Sequence, residues 1–141
     1  MAKIELQSWD RARAEAERIR FAVFVDEQRV PRELEMDEHD GGSIHALAFE
    51  DGVAVGTARL LPDGHIGRMA VLERWRNRGI GGAMLKRLIE AARSRGDRQV
   101  LLSAQVHALG FYRAHGFVAE GPVYEEAGIP HKAMRLRFSS P

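Results

Sequence analysis

Apolar and polar positions change period several times along this chain, and each change marks an element. Lys3 to Leu6 alternates over a length suited to a strand. From Asp10 the period becomes helical, with Ile19, Val23 and Phe24 on one face and arginines and glutamates on the other. Pro31 interrupts that pattern, so Asp26 to Asp40 is expected as a loop with a short helix. Ile44 to Phe49 reads as a strand. Asp51-Gly52 is a hairpin signal, and Val53 to Leu61 returns as the partner strand. Pro62-Asp63-Gly64 then turns the chain into His65–Val71.

After a polar connection, Leu72 to Arg78, apolar residues recur at helical spacing from Ile80 to about Arg95, where Gly96-Asp97 ends the helix. Val100-Leu101-Leu102 is a short apolar run that suits a buried strand. Ala108, Leu109, Phe111 and Tyr112 fall in a second short helix terminated by Gly116. Phe117 to Ala119 and His131 to Phe138 are the last strands, separated by a loop region containing Gly-Pro and Gly-Ile-Pro. No repeat, low-complexity linker or boundary interrupts residues 1–141, which are therefore expected to form one domain. Three strands joined by tight turns, followed by strand–helix–strand, give a mixed α/β sheet.

Composition narrows the class without naming a partner. At 45% hydrophobic and 29% charged, the chain is ordinary for a soluble globular protein, and it has no apolar run of about 18 residues. Met1 to Trp9 lacks the basic-then-apolar layout of a secretory signal, so the cytoplasm is the expected location and no membrane partner is expected. With zero cysteines, disulfides, thiolate metal sites and a cysteine nucleophile are excluded.

The net charge of +1 hides an uneven distribution. Asp26 to Asp40 carries Asp26, Glu27, Glu33, Glu35, Asp37, Glu38 and Asp40 against Arg29 and Arg32. His65 to Arg95 carries eight bases against Glu73 and Glu90. Either these are two solvated faces, or a basic half meets an anionic ligand and an acidic half a cationic one. A nucleic-acid surface on the basic half fits poorly with 7% aromatic residues and near-zero net charge.

Gly79, Gly81 and Gly82 stand where a strand gives way to a helix. Free amides and the positive end of the helix dipole make such a turn an anion site, with Arg76 and Arg78 beside it. The anion is not fixed by the turn. A Walker loop would need Gly-Lys-Ser/Thr, and a dinucleotide fingerprint would need glycine where Met84 stands.

Arg76-x-x-Gly79-x-Gly81 resembles the Arg/Gln-x-x-Gly-x-Gly/Ala signature of the GCN5-related N-acetyltransferases (GNAT). Ala108-x-x-Phe111-Tyr112-x-x-x-Gly116-Phe117 resembles the second motif of the same superfamily. Phe24-Val25-Asp26-Glu27-Gln28, Asp37-Glu38-His39-Asp40 and Tyr124-x-x-x-Gly128-Ile129-Pro130-His131 are similar to the ElaA-like subgroup. The resemblance implies the GNAT fold, a mixed, mostly antiparallel central sheet flanked by helices, whose fourth and fifth strands splay apart.

It also implies roles. Acetyl-coenzyme A would lie in the splay, with the backbone of Met69, Ala70 and Val71 pairing with the pantetheine amides as an added strand does. Amides of Arg78, Gly79, Ile80, Gly81, Gly82 and Ala83 would hold the pyrophosphate, with Arg76 close by. An amide near Val71 would stabilise the oxyanion. Tyr112 matches the tyrosine that protonates the departing thiolate. A phenol of pKa about 10 can return a proton to a thiolate of pKa near 9 in a dry site. Gln105 stands where many relatives carry a cofactor-touching asparagine.

The acceptor would be a primary amine, small molecule or peptide, and it must lose a proton. Glu27, His39, Glu125, Glu126 and His131 are candidates for that base, and Glu27, His39, Tyr124 and His131 for contact with the acceptor. His39, Asp37 and Asp40 match no metal-ligand spacing, so no metal is expected. A homodimer through the C-terminal strands is an analogy with the superfamily. The rival function is a non-catalytic acyl-coenzyme A sensor on the same fold, which would need neither Tyr112 nor an acceptor cleft.

Overall fold

The computed structural model describes residues 2–32 and 37–139 of the chain. Among these residues, seven strands and three α-helices follow one another as β1 (Lys3–Gln7), α1 (Trp9–Arg20), β2 (Ile44–Glu50), β3 (Val53–Leu60), β4 (Ile66–Val71), α2 (Ile80–Ser94), β5 (Gln99–Gln105), α3 (Leu109–Arg113), β6 (Val118–Glu126) and β7 (Ile129–Arg137). The strands form two sheets, ordered β1-β2-β3-β4 and β5-β7-β6, with every neighbouring pair antiparallel. A parallel bridge between His65 and Leu101 links the sheets. The fold is the expected mixed α/β arrangement, and the splay between β4 and β5 divides its sheet in two.

The helices cover the first sheet. α2 buries Ile80, Met84, Leu85, Leu88 and Ala92 against Val55, Ala58 and Leu60 of β3, Val100 and Leu102 of β5, and Met134 of β7. Each of its larger side chains contributes about 1.5–3 kcal/mol by leaving water. α1 buries Ala12, Ala16 and Ile19, and Ile19 packs with Val23, Ala54 and Ala70 in a second, smaller cluster. The Asp51-Gly52 turn joins β2 to β3 with both residues at positive φ (50° and 80°), as that dipeptide leads one to expect.

Two elements differ from the sequence reading. α1 runs on into a π-helical turn, Phe21–Glu27, in which the Gln28 amide donates to the Val23 carbonyl five residues back at 2.9 Å. The Gly121-to-Pro130 region, expected as a loop, is instead largely strand. β6 continues to Glu126, and Ala127-Gly128, at φ 52° and 76°, turns the chain directly into β7. Pro122 is tolerated because the β6–β7 register slips between Glu120 and Tyr124. Pro130 precedes the first β5–β7 pair, Gln105 with His131, so its missing N–H breaks no ladder to β5. Within the segment 26–40, expected as a loop with a short helix, residues 33–36 lie outside the described ones.

Candidate active site

β4 and β5 touch where the Leu101 amide donates to the Gly64 carbonyl at 3.0 Å, and then part. Beyond that point β4 is laddered to β3 alone, leaving its other edge without a strand partner. A cleft of about 520 Å³ opens at the gap. Met69, Ala70 and Val71 form the β4 wall, Ser103 and Gln105 the β5 wall, and Tyr112 and His131 also line it. β4 is bulged here, with Arg68 at φ 50° where the register against β3 slips. The π-helical turn contributes Phe24 and Glu27, and Gln28 follows them into the lining. Gln28 accepts from Gln105 Nε2 at 2.9 Å, a bridge across the cleft. Its signal in the sequence was absent, because π-helical bonding has no residue signature.

The glycine turn lies at the edge of this cleft, and its parts have separate tasks. Gly79 caps α2 at φ 80° with no atom within 4 Å of where a Cβ would stand. A side chain there would cost about 1–2 kcal/mol in backbone strain. The Ala83 amide bonds back to Gly79 at 3.0 Å, leaving the amides of Ile80, Gly81 and Gly82 as free donors of the first turn. Gly81 and Gly82 make room for protein. A Cβ on Gly82 would meet His115 Nε2 at 3.2 Å, and one on Gly81 would meet Phe111, Met69 and Val71 at 3.6–3.9 Å. Met69, Val71 and Phe111 line the cleft as well, so the cleft ends beside the amides of α2.

Arg76 departs from its expected place among phosphate-binding groups. Its Nε donates to the Val71 carbonyl at 2.9 Å, and Nη1 and Nη2 grip the Glu27 carboxylate at 2.6 and 2.7 Å. Those hydrogen bonds hold Glu27 below the usual carboxylate range, which makes it a poor proton acceptor. Arg78 and Arg74 instead lie over the Trp75 ring, 5.0 and 5.7 Å from its centre, leaving positive charge close to the turn.

Tyr112 stands on α3 against Phe111 and Phe117, with ring centres 5.0 and 6.0 Å away. Burial pushes its phenol up to about 12. The hydroxyl has no hydrogen-bond partner among the described residues, and the side chain lines the cleft. It is a protonated donor held beside an open space.

The acidic segment is structural where it is described. Arg59 grips Asp37 at 2.7 and 2.8 Å and also donates to Asp40 at 3.0 Å. Arg20, fully buried, donates to the other Asp40 oxygen at 3.0 Å. Arg68 reaches Asp37 at 3.3 Å. The hydrogen bonds from Arg59 hold Asp37 far below its ordinary value. His39 is exposed and absent from the cleft walls, which does not suit the acceptor role expected of it. Glu33 and Glu35 lie outside the described residues.

The β6–β7 hairpin carries Glu126 and His131 to the cleft, while Tyr124 lies outside its lining. His131 pairs with Gln105 on one side and Tyr124 on the other, so the three occupy one cross-strand row. Tyr124 stacks on the His131 ring at 6.2 Å and its hydroxyl bonds Ser103 Oγ.

This surface suits an acyl-coenzyme A. It offers an unpaired strand edge for amides, free helix-start donors and nearby arginines for phosphates, and a protonated phenol for a leaving group. No cluster of three or more metal-ligating side chains occurs among the described residues. No helix of the structure, among those residues, is long and apolar enough to cross a membrane.

Comparison with known proteins agrees with this geometry. The acetyltransferase (GNAT) domain model matches residues 10–138. The uncharacterized N-acetyltransferase YjcF of Bacillus subtilis is 38% identical over 120 residues, 82% of this chain and 86% of that one. The crystal structure of an acyl-CoA N-acyltransferase from Pseudomonas aeruginosa superposes with a TM-score of 0.85 at 32% identity, covering 96% of this chain and 99% of that one. Escherichia coli ElaA superposes at 0.86 and 30% identity, over 97% of this chain and 100% of its own. The chain is an acyltransferase of the GNAT family.

Proposed function

We propose that the chain moves an acetyl group from acetyl-coenzyme A to a primary amine by direct attack in the β4–β5 cleft. The observation that carries this reading is the meeting of three features in one space: the open edge of β4, the free amides of α2, and the unpartnered Tyr112 phenol. When bound, the donor supplies an acetyl thioester. The backbone of Met69, Ala70 and Val71 aligns its pantetheine arm. The amides of Ile80, Gly81 and Gly82, with Arg78, hold its pyrophosphate, that of Ala83 being bonded to Gly79. Arg76 acts from one step away, since it ties Glu27 to the carbonyl of Val71 and so steadies the end of β4.

Tyr112 holds a proton at its hydroxyl and delivers it to the leaving sulfur. A phenol at about 12 is a weaker acid than one in water, but the same dry surroundings also raise the proton affinity of a thiolate. The raised value keeps Tyr112 protonated across the whole range in which an amine can react. His131 faces the acceptor from the opposite wall, with Tyr124 stacked on its ring. The test is a panel of primary amines offered with acetyl-coenzyme A while free thiol is followed. Thiol release with at least one amine is expected. Tight binding of acetyl-coenzyme A with release on none is what an acyl-coenzyme A sensor would give, and it would contradict the proposal.

A further inference from the structure

Between the π-helical turn and the β6–β7 hairpin, the cleft continues into a recess of about 280 Å³. Phe24 and Val30 form one side, and Ile129, Glu126 and His131 the other. His131 is 6% exposed, and its Nδ1 lies 2.6 Å from the carbonyl of Ile129. A carbonyl can only accept, so Nδ1 carries the hydrogen and Nε2 is left with the lone pair. The backbone thus fixes the tautomer. Stacking by Tyr124, itself tied to Ser103, keeps the ring in place.

Nε2 lies 3.5 Å from Glu126 Oε2, whose side chain is 56% exposed. At that distance the carboxylate is within reach of a cationic amine seated beside Nε2. The other charged groups near the recess are committed elsewhere. Arg68 from β4 is bound to Asp37, and Glu27 to Arg76. Gln105 from β5 and Gln28 after the π-helical turn are neutral and bonded to each other. Among the described lining residues, Glu126 is the one carboxylate that no arginine holds.

We propose that His131 is the acceptor's general base, taking onto Nε2 a proton from a cationic primary amine that Glu126 draws into the recess. This rests on the N-acetyltransferase reading. An ammonium must lose two protons to become an amide. The first goes to His131 and on to water, freeing the nitrogen lone pair. The second is lost to solvent as the C–N bond forms and the C–S bond breaks, while the sulfur receives the Tyr112 proton, which water replaces. Net, one proton is released per turnover.

The experiment compares pH profiles of kcat/KM for the best amine of the panel in the native chain, His131→Asn and Glu126→Gln. An asparagine amide can still donate to the Ile129 carbonyl but has no basic nitrogen, so His131→Asn removes the base and keeps the anchor. Its rate is expected to fall about 100-fold and the acidic limb of the profile to move up to the pH at which the amine itself loses its proton, with acetyl-coenzyme A affinity and melting temperature near native. Added imidazole should restore part of the rate. Glu126→Gln, at an exposed position, should lower kcat/KM for a cationic amine several-fold, mainly through KM, and the loss should shrink as salt is added. An acidic limb that keeps its native position in His131→Asn overturns the assignment, as does a rate loss matched by lost acetyl-coenzyme A affinity. A native chain that turns over no amine sinks the N-acetyltransferase reading and this one together.

Discussion

A buried grouping of carboxylates and bases and an open one behave in opposite ways in this molecule. One joins α1 to β3 through Arg20, Asp40, Arg59 and Asp37, with Arg20 and Asp40 0% and 2% exposed. The other is the Glu126–His131 pair on the hairpin, where the carboxylate is open to water and the imidazole faces the cleft. In the first, every carboxylate oxygen is held by a guanidinium, so the charges are spent on position. In the second, one nitrogen is anchored and the other is left reactive. Charge density along the sequence pointed to the first grouping as the place for a cationic acceptor. Local hydrogen bonding points to the second.

The largest expected difference between the two is in stability. Asp40→Ala leaves Arg20 buried without its carboxylate, and a loss of about 3–5 kcal/mol is expected by denaturant unfolding. Glu126→Ala, measured the same way, should change stability by no more than about 0.5 kcal/mol. Equal losses would erase the distinction.

Acid should separate them next. His45 is fully buried beside the cluster, with Nε2 donating to the Asp40 carbonyl at 2.9 Å, and burial lowers its proton affinity. Its folded value lies below the unfolded 6.5, so its contribution to stability is whole above about pH 6.5 and declines as pH falls beneath that. Asp37 is likewise depressed, and its contribution is lost below about pH 4. Melting temperature should therefore fall in two stages on acidification, and His45→Asn should remove the upper one. A flat profile between pH 7 and 5 in the native chain would contradict this.

A smaller effect is expected at Glu27. Its ion pair with Arg76 is about a third exposed on both sides, so Glu27→Gln should cost less than about 1 kcal/mol. The melting temperature checks that, and a loss comparable to Asp40→Ala would mean the pair is part of the structural core.

Much of the fold was legible in the sequence because its signals are local. Asp51-Gly52 demands positive φ at two successive residues, and Ile80, Met84 and Leu88 repeat at the helical period. The β6–β7 hairpin was not legible. Ala127-Gly128 is a weak turn signal, and Pro122 and Pro130 look like loop residues until the bulge and the strand ends that excuse them are known. In the site, the β4 wall and Tyr112 followed from two motifs. The duties of Arg76, Asp37 and Asp40 did not, because their partners lie 49, 22 and 20 residues away in the chain. His131 was one candidate among five until a backbone carbonyl fixed its tautomer.

The central claim is that the cleft performs acyl transfer with Tyr112 supplying the proton for the leaving sulfur. Thiol release by Tyr112→Phe, beside the native chain and with acetyl-coenzyme A affinity measured on both, tests it most directly. The account predicts kcat lower by about 100-fold with affinity within about two-fold of native. A Tyr112→Phe chain that turns over at the native rate would contradict it.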